Sequence, residues 1–273
     1  MFKKILFFLI MIISITGCSQ EYVNNGEGQV LLDENPYLYK DGKYYGTYSH
    51  TNNEGYRPEM HLTINGGLIT EVNYREVSVE GKDKITDTKY YESFKVAHNL
   101  DLKVIYGRLY NSLIKNQNPV NLPSTGDFPD INNYFKQLAE SILNKASMGD
   151  LEEILLPMND TYVSMGEPDA NGYRPILRIT FLGDRITAVH YSETNDSGID
   201  KYASQEISEN YKEFYGMELK DVFDNYSNQV LENRSLDPVD SISGATNSFN
   251  NINNLLIDIR SRRLPFKEPE KAE

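Results

Sequence analysis

The chain is short of the residues that hold metals or make cross-links. Cysteine occurs once in 273 residues, at Cys18, which excludes intrachain disulfides, iron–sulfur ligation and c-type haem attachment. The four histidines, His50, His61, His98 and His190, are scattered without metal-ligand spacing. Any redox chemistry must therefore come from a bound organic group. Positive charge is also scarce: 27 Lys and Arg stand against 40 Asp and Glu, for a formal net charge of −13. A surface that acidic repels phosphate backbones and argues against nucleic acid as a partner. Gly26-Glu27-Gly28 lacks the third glycine and the strand–helix setting of a dinucleotide loop. The apolar run Ile5–Ile13 has nine residues, too few for a bilayer-spanning helix, which needs about 20. What remains is ordinary for a globular protein of one or two domains, with 39% hydrophobic and 25% charged residues.

The apolar run follows Lys3-Lys4 and ends in Ile15-Thr16-Gly17-Cys18. A basic start, a short apolar core and small residues form a secretory signal pattern. Its end resembles the lipobox of bacterial lipoproteins. That resemblance implies a signal peptide over 1–17, a diacylglyceryl group on the Cys18 sulfur, and an anchor at the outer face of the cytoplasmic membrane. Cleavage before Cys18 removes two lysines and takes the net charge from −13 to −15. Residues 18–40 are polar and without period, and read as a lipidated tether. In a bacterial lipoprotein the sequons at Asn159, Asn195, Asn225 and Asn233 are chance matches.

Beyond the tether the chain repeats itself. Gly55-Tyr56-Arg57-Pro58 recurs 117 positions later as Gly172-Tyr173-Arg174-Pro175, and the register continues through Thr63/Thr180, Gly66/Gly183, Val72/Val189, Tyr74/Tyr191 and Glu76/Glu193. The reading is of two tandem domains, 41–148 and 158–264, followed by a polar tail over 265–273. Each copy has the same order. A Tyr-rich strand (44–49; 161–164) precedes two strands joined by a tight turn at Gly66-Gly67 or Gly183-Asp184. Helical spacing follows around Tyr91, Phe94 and Val96 and then Val104, Ile105, Leu109 and Leu113, matched by Tyr211, Phe214 and Tyr215 and then Val222, Phe223, Tyr226 and Val230. A last helix carries Tyr134, Phe135, Leu138 and Ile142, or Phe249, Ile252, Leu255, Leu256 and Ile259. Strands followed by helices, without alternation, predict an α+β fold in which each copy is an antiparallel sheet followed by helices.

Ahead of the last helix stands Asp240-Ser241-Ile242-Ser243-Gly244-Ala245-Thr246. An Asp-x-x-Ser/Thr-Gly-Ala-Ser/Thr run arises by chance in roughly one such chain in a thousand. It resembles the flavinylation motif of FMN-binding domains, a family that includes the flavin subunits of the Rnf and Nqr ion-pumping complexes. Lipobox, acidic tether, duplication and Gly-Tyr-Arg-Pro hairpin together resemble the tandem flavin lipoproteins of Gram-positive extracellular electron transfer. The resemblance implies that a flavin transferase moves FMN from FAD onto the Thr246 hydroxyl as a phosphoester. The expected cofactor site is then Thr246, Ala245, Gly244, Ser243 and Asp240, with no catalytic and no metal-binding residues. The phosphate would lie near the start of a helix beginning close to Ser248, where free N–H groups and the positive dipole end favour anions. Asp240 has two open roles, positioning the loop or being read by the transferase. The same string also suits a plain turn and helix cap.

Copy one has lost the motif. Aligned on Gly126, Leu122 replaces the Asp, Asp127 the Ala and Phe128 the acceptor, so copy one is expected to carry no covalent flavin. It remains open as a spacer, an interdomain partner or a weak non-covalent site. Relatives often carry His after the acceptor, where this chain has Asn247. Tyr173 and Tyr191 are candidates to stack on the isoalloxazine ring, with strand packing as the alternative. Arg174 has a copy-one twin, Arg57, which points to a shared structural role. Arg260, Arg262 and Arg263 complement a helix C-terminus, with a docking patch for an acidic partner as the alternative. The implied function is an electron carrier rather than an enzyme, taking electrons from a membrane quinol-oxidising or flavin-based complex and passing them to extracellular acceptors. Two rivals stay open: the electron-input module of a flavin-dependent reductase, and a non-redox binding or structural lipoprotein with a fossil motif.

Overall fold

A computed structural model describes residues 38–267 and gives the chain an α+β fold. The signal run, Cys18 and most of the expected tether lie outside the described residues, as does the end of the tail.

In copy one, β1 (Gly42–Tyr48), β2 (Tyr56–Asn65) and β3 (Leu68–Ser78) form an antiparallel meander, followed by α1 (Thr88–His98), α2 (Leu102–Asn116) and α3 (Pro129–Met148). In copy two, β5 (Asp160–Met165), β6 (Arg174–Leu182) and β7 (Arg185–Thr194) are followed by a helical turn at Lys201–Ala203 and by α4 (Gln205–Tyr215), α5 (Leu219–Asn233) and α6 (Thr246–Arg262). The strands alternate as a half-buried sheet requires: along β6, Leu177, Ile179 and Phe181 are buried while Arg178 is exposed. Gly66 and Gly67 both have positive φ, 59° and 73°, which a two-residue hairpin turn demands. Each hairpin carries a register shift at matching places, Thr63/Ile64 and Thr180/Phe181.

Each copy builds its own core. Met60, Leu62, Tyr74, Leu109, Phe135 and Leu138 lie in one buried cluster, and Leu177, Ile179, Phe223, Tyr226, Ile252 and Leu256 in the other. The first helix of each set contributes little. In α1 only Phe94 is buried and in α4 nothing is, so Val96, Phe214 and Tyr215, which share the apolar spacing, face solvent, as Val104 does in α2. Because α4 stands off the core, a cleft opens between it and the start of α6.

Several boundaries differ from the sequence reading. The first sheet is mixed, in the order β3-β2-β1-β4, because β4 (Ile154–Leu156) from the segment between the copies lies parallel to β1. The tether does not extend to residue 40, since the Lys40 N–H donates to the Ala146 carbonyl at 2.9 Å. The polar tail does not begin at 265 either. Pro265 bridges to His50, the Phe266 N–H donates to the Ser49 carbonyl at 2.7 Å, and the Phe266 ring lies 4.5 Å from the Arg57 guanidinium.

The two copies are stitched together. Asn53 presents its N–H to Asp160 at 2.7 Å and its side-chain oxygen to the Val163 N–H at 2.8 Å. Arg262 donates to the carbonyl and side-chain oxygens of Asn53, to the Val163 carbonyl and to Asp258. These side chains occupy the outer edge of β5, where copy one uses β4, and so cover backbone groups that an edge strand leaves unpaired. Arg262 and Arg263 thus have roles beyond complementing a helix end. Arg263 lies buried over Phe181, its guanidinium 4.1 Å from the ring centroid, and burial pushes its pKa down. We expect Arg262→Ala to cost about 2 kcal/mol, as loss of charged hydrogen bonds does, and to split calorimetric unfolding into two transitions. A single transition at the wild-type temperature would contradict this stitching.

Candidate functional site

The motif loop reaches α6 by way of Gly244, whose φ is +80°. A Cβ there would clash with the Tyr215 ring, so glycine is required twice over, for its backbone conformation and for the close approach of the aromatic ring. α6 begins at Thr246 itself, two residues earlier than its apolar stripe indicates. Ala245, at the N-cap, is buried and offers no side-chain cap. The first-turn N–H groups are therefore left open, at the positive end of the helix. Thr246 is exposed there, and among the described residues its hydroxyl makes no hydrogen bond. Ser243 and Asp240 are also exposed. The Asp240 backbone is held by Gln229, whose side-chain oxygen accepts from its N–H at 2.6 Å.

Beside Thr246 lies a cleft of about 490 Å³, lined by Lys201, Ile207, Tyr211, Tyr215, Leu219 and residues 244–248. That volume falls within the range of small-molecule sites, roughly 300–1,000 Å³. Tyr211 and Tyr215 form its aromatic wall, with ring centroids 4.8 Å apart. Tyr173 does not line the cleft. It packs behind it, with the Lys201 ammonium 5.9 Å from its ring centroid. Tyr191 is core, fully buried with its hydroxyl on Glu193 at 2.7 Å. Neither tyrosine is among the residues that line the cleft. Arg174 and Arg57 each reach the end of the preceding strand, at the Gly166 carbonyl (3.0 Å) and the Thr47 hydroxyl (3.1 Å), in line with a shared structural role.

The floor of the cleft is a buried ionic network. Glu193 is 1% exposed and accepts from Ser248 (2.8 Å), Asn251 (3.3 Å), Tyr191 and the Lys201 ammonium (2.6 Å). Lys201 also meets Asp169 at 2.6 Å. This network ties β7, the turn after it and the first turn of α6 together. Above it, the Tyr226 hydroxyl bridges the motif loop, accepting from the Ile242 N–H at 3.4 Å and donating to the Ala245 carbonyl at 3.5 Å. The Tyr211 hydroxyl is buried without a hydrogen-bond partner.

Copy one supplies the comparison. The 117-residue register runs on to Lys84/Lys201 and through the helices. The buried Lys84–Glu76 pair at 2.7 Å therefore corresponds to Lys201–Glu193. By helix start and core positions, Pro129 is the counterpart of Thr246 and Phe128 of Ala245. This corrects the alignment on Gly126, which set Phe128 against the acceptor, and the hydroxyl is missing either way. Phe128 instead fills the space that Ala245 leaves, packing on Phe94 (4.7 Å) and His98 (4.8 Å). The corresponding cavity shrinks to about 240 Å³ and is lined by Asp127 and Asp130 where copy two has Gly244 and Asn247. Two carboxylates at that helix start disfavour an anion.

A comparison with the sequence profiles of known protein families matches none of them. The chain is 23% identical over 115 residues to a 15 kDa lipoprotein of Treponema pallidum (strain Nichols), covering 42% of this chain and 82% of that protein. Among solved structures, a Clostridium perfringens protein is 26% identical, with a TM-score of 0.42 over 44% of this chain and 98% of its own. A Clostridium thermocellum protein is 14% identical, with a TM-score of 0.25 over 42% and 94%. The lipoprotein match is about one repeat long. Among the described residues no helix is long and apolar enough to cross a membrane.

The network predicts a pH dependence. Burial alone would raise the Asp169 pKa, but the Lys201 ammonium and two backbone N–H groups outweigh it and hold the carboxyl below its ordinary range. Burial would lower Lys201, but Asp169 and Glu193 outweigh it and push the ammonium up. A depressed carboxyl contributes stability above its unfolded pKa that is lost as pH falls through the folded value. A raised ammonium contributes stability below its unfolded pKa that is lost as pH rises through the folded value. We expect Asp169→Asn to lower stability at neutral pH and to flatten the acid limb of urea midpoints below pH about 5. An acid limb identical to wild type would contradict the pairing.

Proposed function

We propose that the chain is a membrane-anchored flavoprotein carrying one FMN as a phosphoester on Thr246, and that it works as an electron carrier outside the cytoplasmic membrane. The observation that carries this reading is the placement of the motif's hydroxyl. Thr246 is exposed at the open, positive end of α6 and at the mouth of a cleft walled by Tyr211 and Tyr215. The lipobox-like run ending in Cys18 supports the anchor, and so does similarity to a lipoprotein.

On this reading a flavin transferase passes the FMN half of FAD to the Thr246 oxygen, with AMP as the leaving group and the hydroxyl proton released. The exposed Asp240 and Ser243 are accessible for that enzyme to read. The first-turn N–H groups of α6 favour the phosphodiester charge. Ala245 and Gly244 keep the mouth open, Tyr211 and Tyr215 offer aromatic faces, and the Glu193–Lys201 network holds the turn in place. Bound FMN supplies one- and two-electron transfer. The covalent link suits a surface protein, which has no means of reloading a cofactor that diffuses away. The donor is a membrane quinol-oxidising or flavin-based complex. The acidic surface disfavours anionic acceptors and tolerates cationic ones. Copy one, with Phe128 in its cavity and no acceptor hydroxyl, serves as the docked partner that positions copy two.

Full-length chain produced with a flavin transferase in an exporting host is expected to show one FMN by intact mass and in-gel flavin fluorescence, abolished by Thr246→Val. No flavin, with a control domain modified in the same cells, would leave the binding-lipoprotein reading standing.

A further inference from the structure

The surroundings of the copy-two cleft differ from those of copy one by several exchanges. At matched positions, Tyr211 stands for Phe94, Tyr226 for Leu109 and Ser248 for Ile131. Three hydroxyls are thus added around the copy-two cleft and motif loop, while Ile207 stands where copy one has the Tyr90 hydroxyl. Two of them have visible work. Ser248 donates to Glu193, and Tyr226 bridges the motif loop. The third belongs to Tyr211, a residue that lines the same cleft; its hydroxyl lies beneath the cleft surface, shut off from solvent and without a hydrogen-bond partner.

A buried hydroxyl without a partner is destabilising relative to a satisfied one, because it has given up its hydrogen bond to water. The fold does not need it there, because Phe94 fills the same position in α1 and packs as a buried core residue. Packing therefore accounts for the ring and leaves the oxygen unexplained. Burial also pushes the Tyr211 pKa up, which keeps the phenol protonated and able to donate.

We infer that the Tyr211 hydroxyl is a cofactor-contacting hydrogen-bond donor reserved for the group bound in the cleft, and that it tunes the midpoint potential of that group rather than its attachment. This rests on the reading that the cleft holds FMN. Attachment depends on Thr246 and the motif loop, which Tyr226 and Gly244 shape. A donor beside a ring that gains negative charge on reduction favours the reduced form, so its removal lowers the potential.

The test compares flavin-loaded full-length wild type with Tyr211→Phe, the residue copy one already tolerates, reading midpoint potential, flavin absorption and flavin emission per bound flavin. Tyr90→Phe is the control, since it removes a hydroxyl that bonds Glu54 in copy one. The expected result is wild-type loading with a lowered potential and altered flavin spectra in Tyr211→Phe, and neither change in Tyr90→Phe. Wild-type potential and spectra in a loaded Tyr211→Phe would overturn the inference and leave the carrier reading intact, the partner then being a buried water. Absence of flavin from the wild type overturns both.

Discussion

The Glu193 carboxylate is where the second copy is tied together. Fully buried, it is neutralised by Lys201 from the turn after β7 and accepts hydrogen bonds from Ser248 and Asn251 in the first turns of α6. A buried charge persists only when it is paired and hydrogen-bonded, so these elements are held to one geometry. The open end of α6 and the exposed Thr246 sit at the top of that arrangement. The same pair in copy one, Glu76 with Lys84, shares the tyrosine bond, from Tyr74 as from Tyr191, but is otherwise satisfied by Glu54 and Tyr106. The ionic floor is therefore common scaffold, and what is built above it differs.

That difference gives the chain an internal control. Both copies start their last helix beside a cavity under the first helix of the set. In copy one a phenylalanine fills the cavity, proline takes the first helical position and two carboxylates line the entrance. In copy two those places hold alanine, threonine, glycine and asparagine. Each exchange removes bulk or negative charge, or adds a hydroxyl. Hydrogen bonds through Asn53 and Arg262 join copy one to copy two beside this difference.

The α+β order, the hairpins and most core positions were legible because alternation and helical spacing are local signals, and the duplication showed each of them twice. Three things were not. β4 is three residues long and gains its place only by pairing with β1. Pro265 and Phe266 look like the start of a polar tail until the copy-one strand they pair with is placed beside them. At the candidate site, the loop before α6 was readable as a motif, and of the two readings of Tyr173 and Tyr191 the cleft lining favours packing, since α4 supplies Tyr211 and Tyr215 as its aromatic residues and neither hairpin tyrosine lines it. Lys201 was within reach of the sequence, since the register that pairs Glu76 with Glu193 also pairs Lys84 with Lys201.

On the proposed function, one copy of the duplicated domain is kept open for a flavin and the other is closed. Peptide mapping by tandem mass spectrometry of the chain isolated from cells with active flavin transferase tests it most directly. The account predicts a single FMN-bearing peptide, with the modification on Thr246 and every copy-one peptide at its unmodified mass. Flavin on a copy-one residue, or an unmodified Thr246 in cells that flavinylate other proteins, would contradict it.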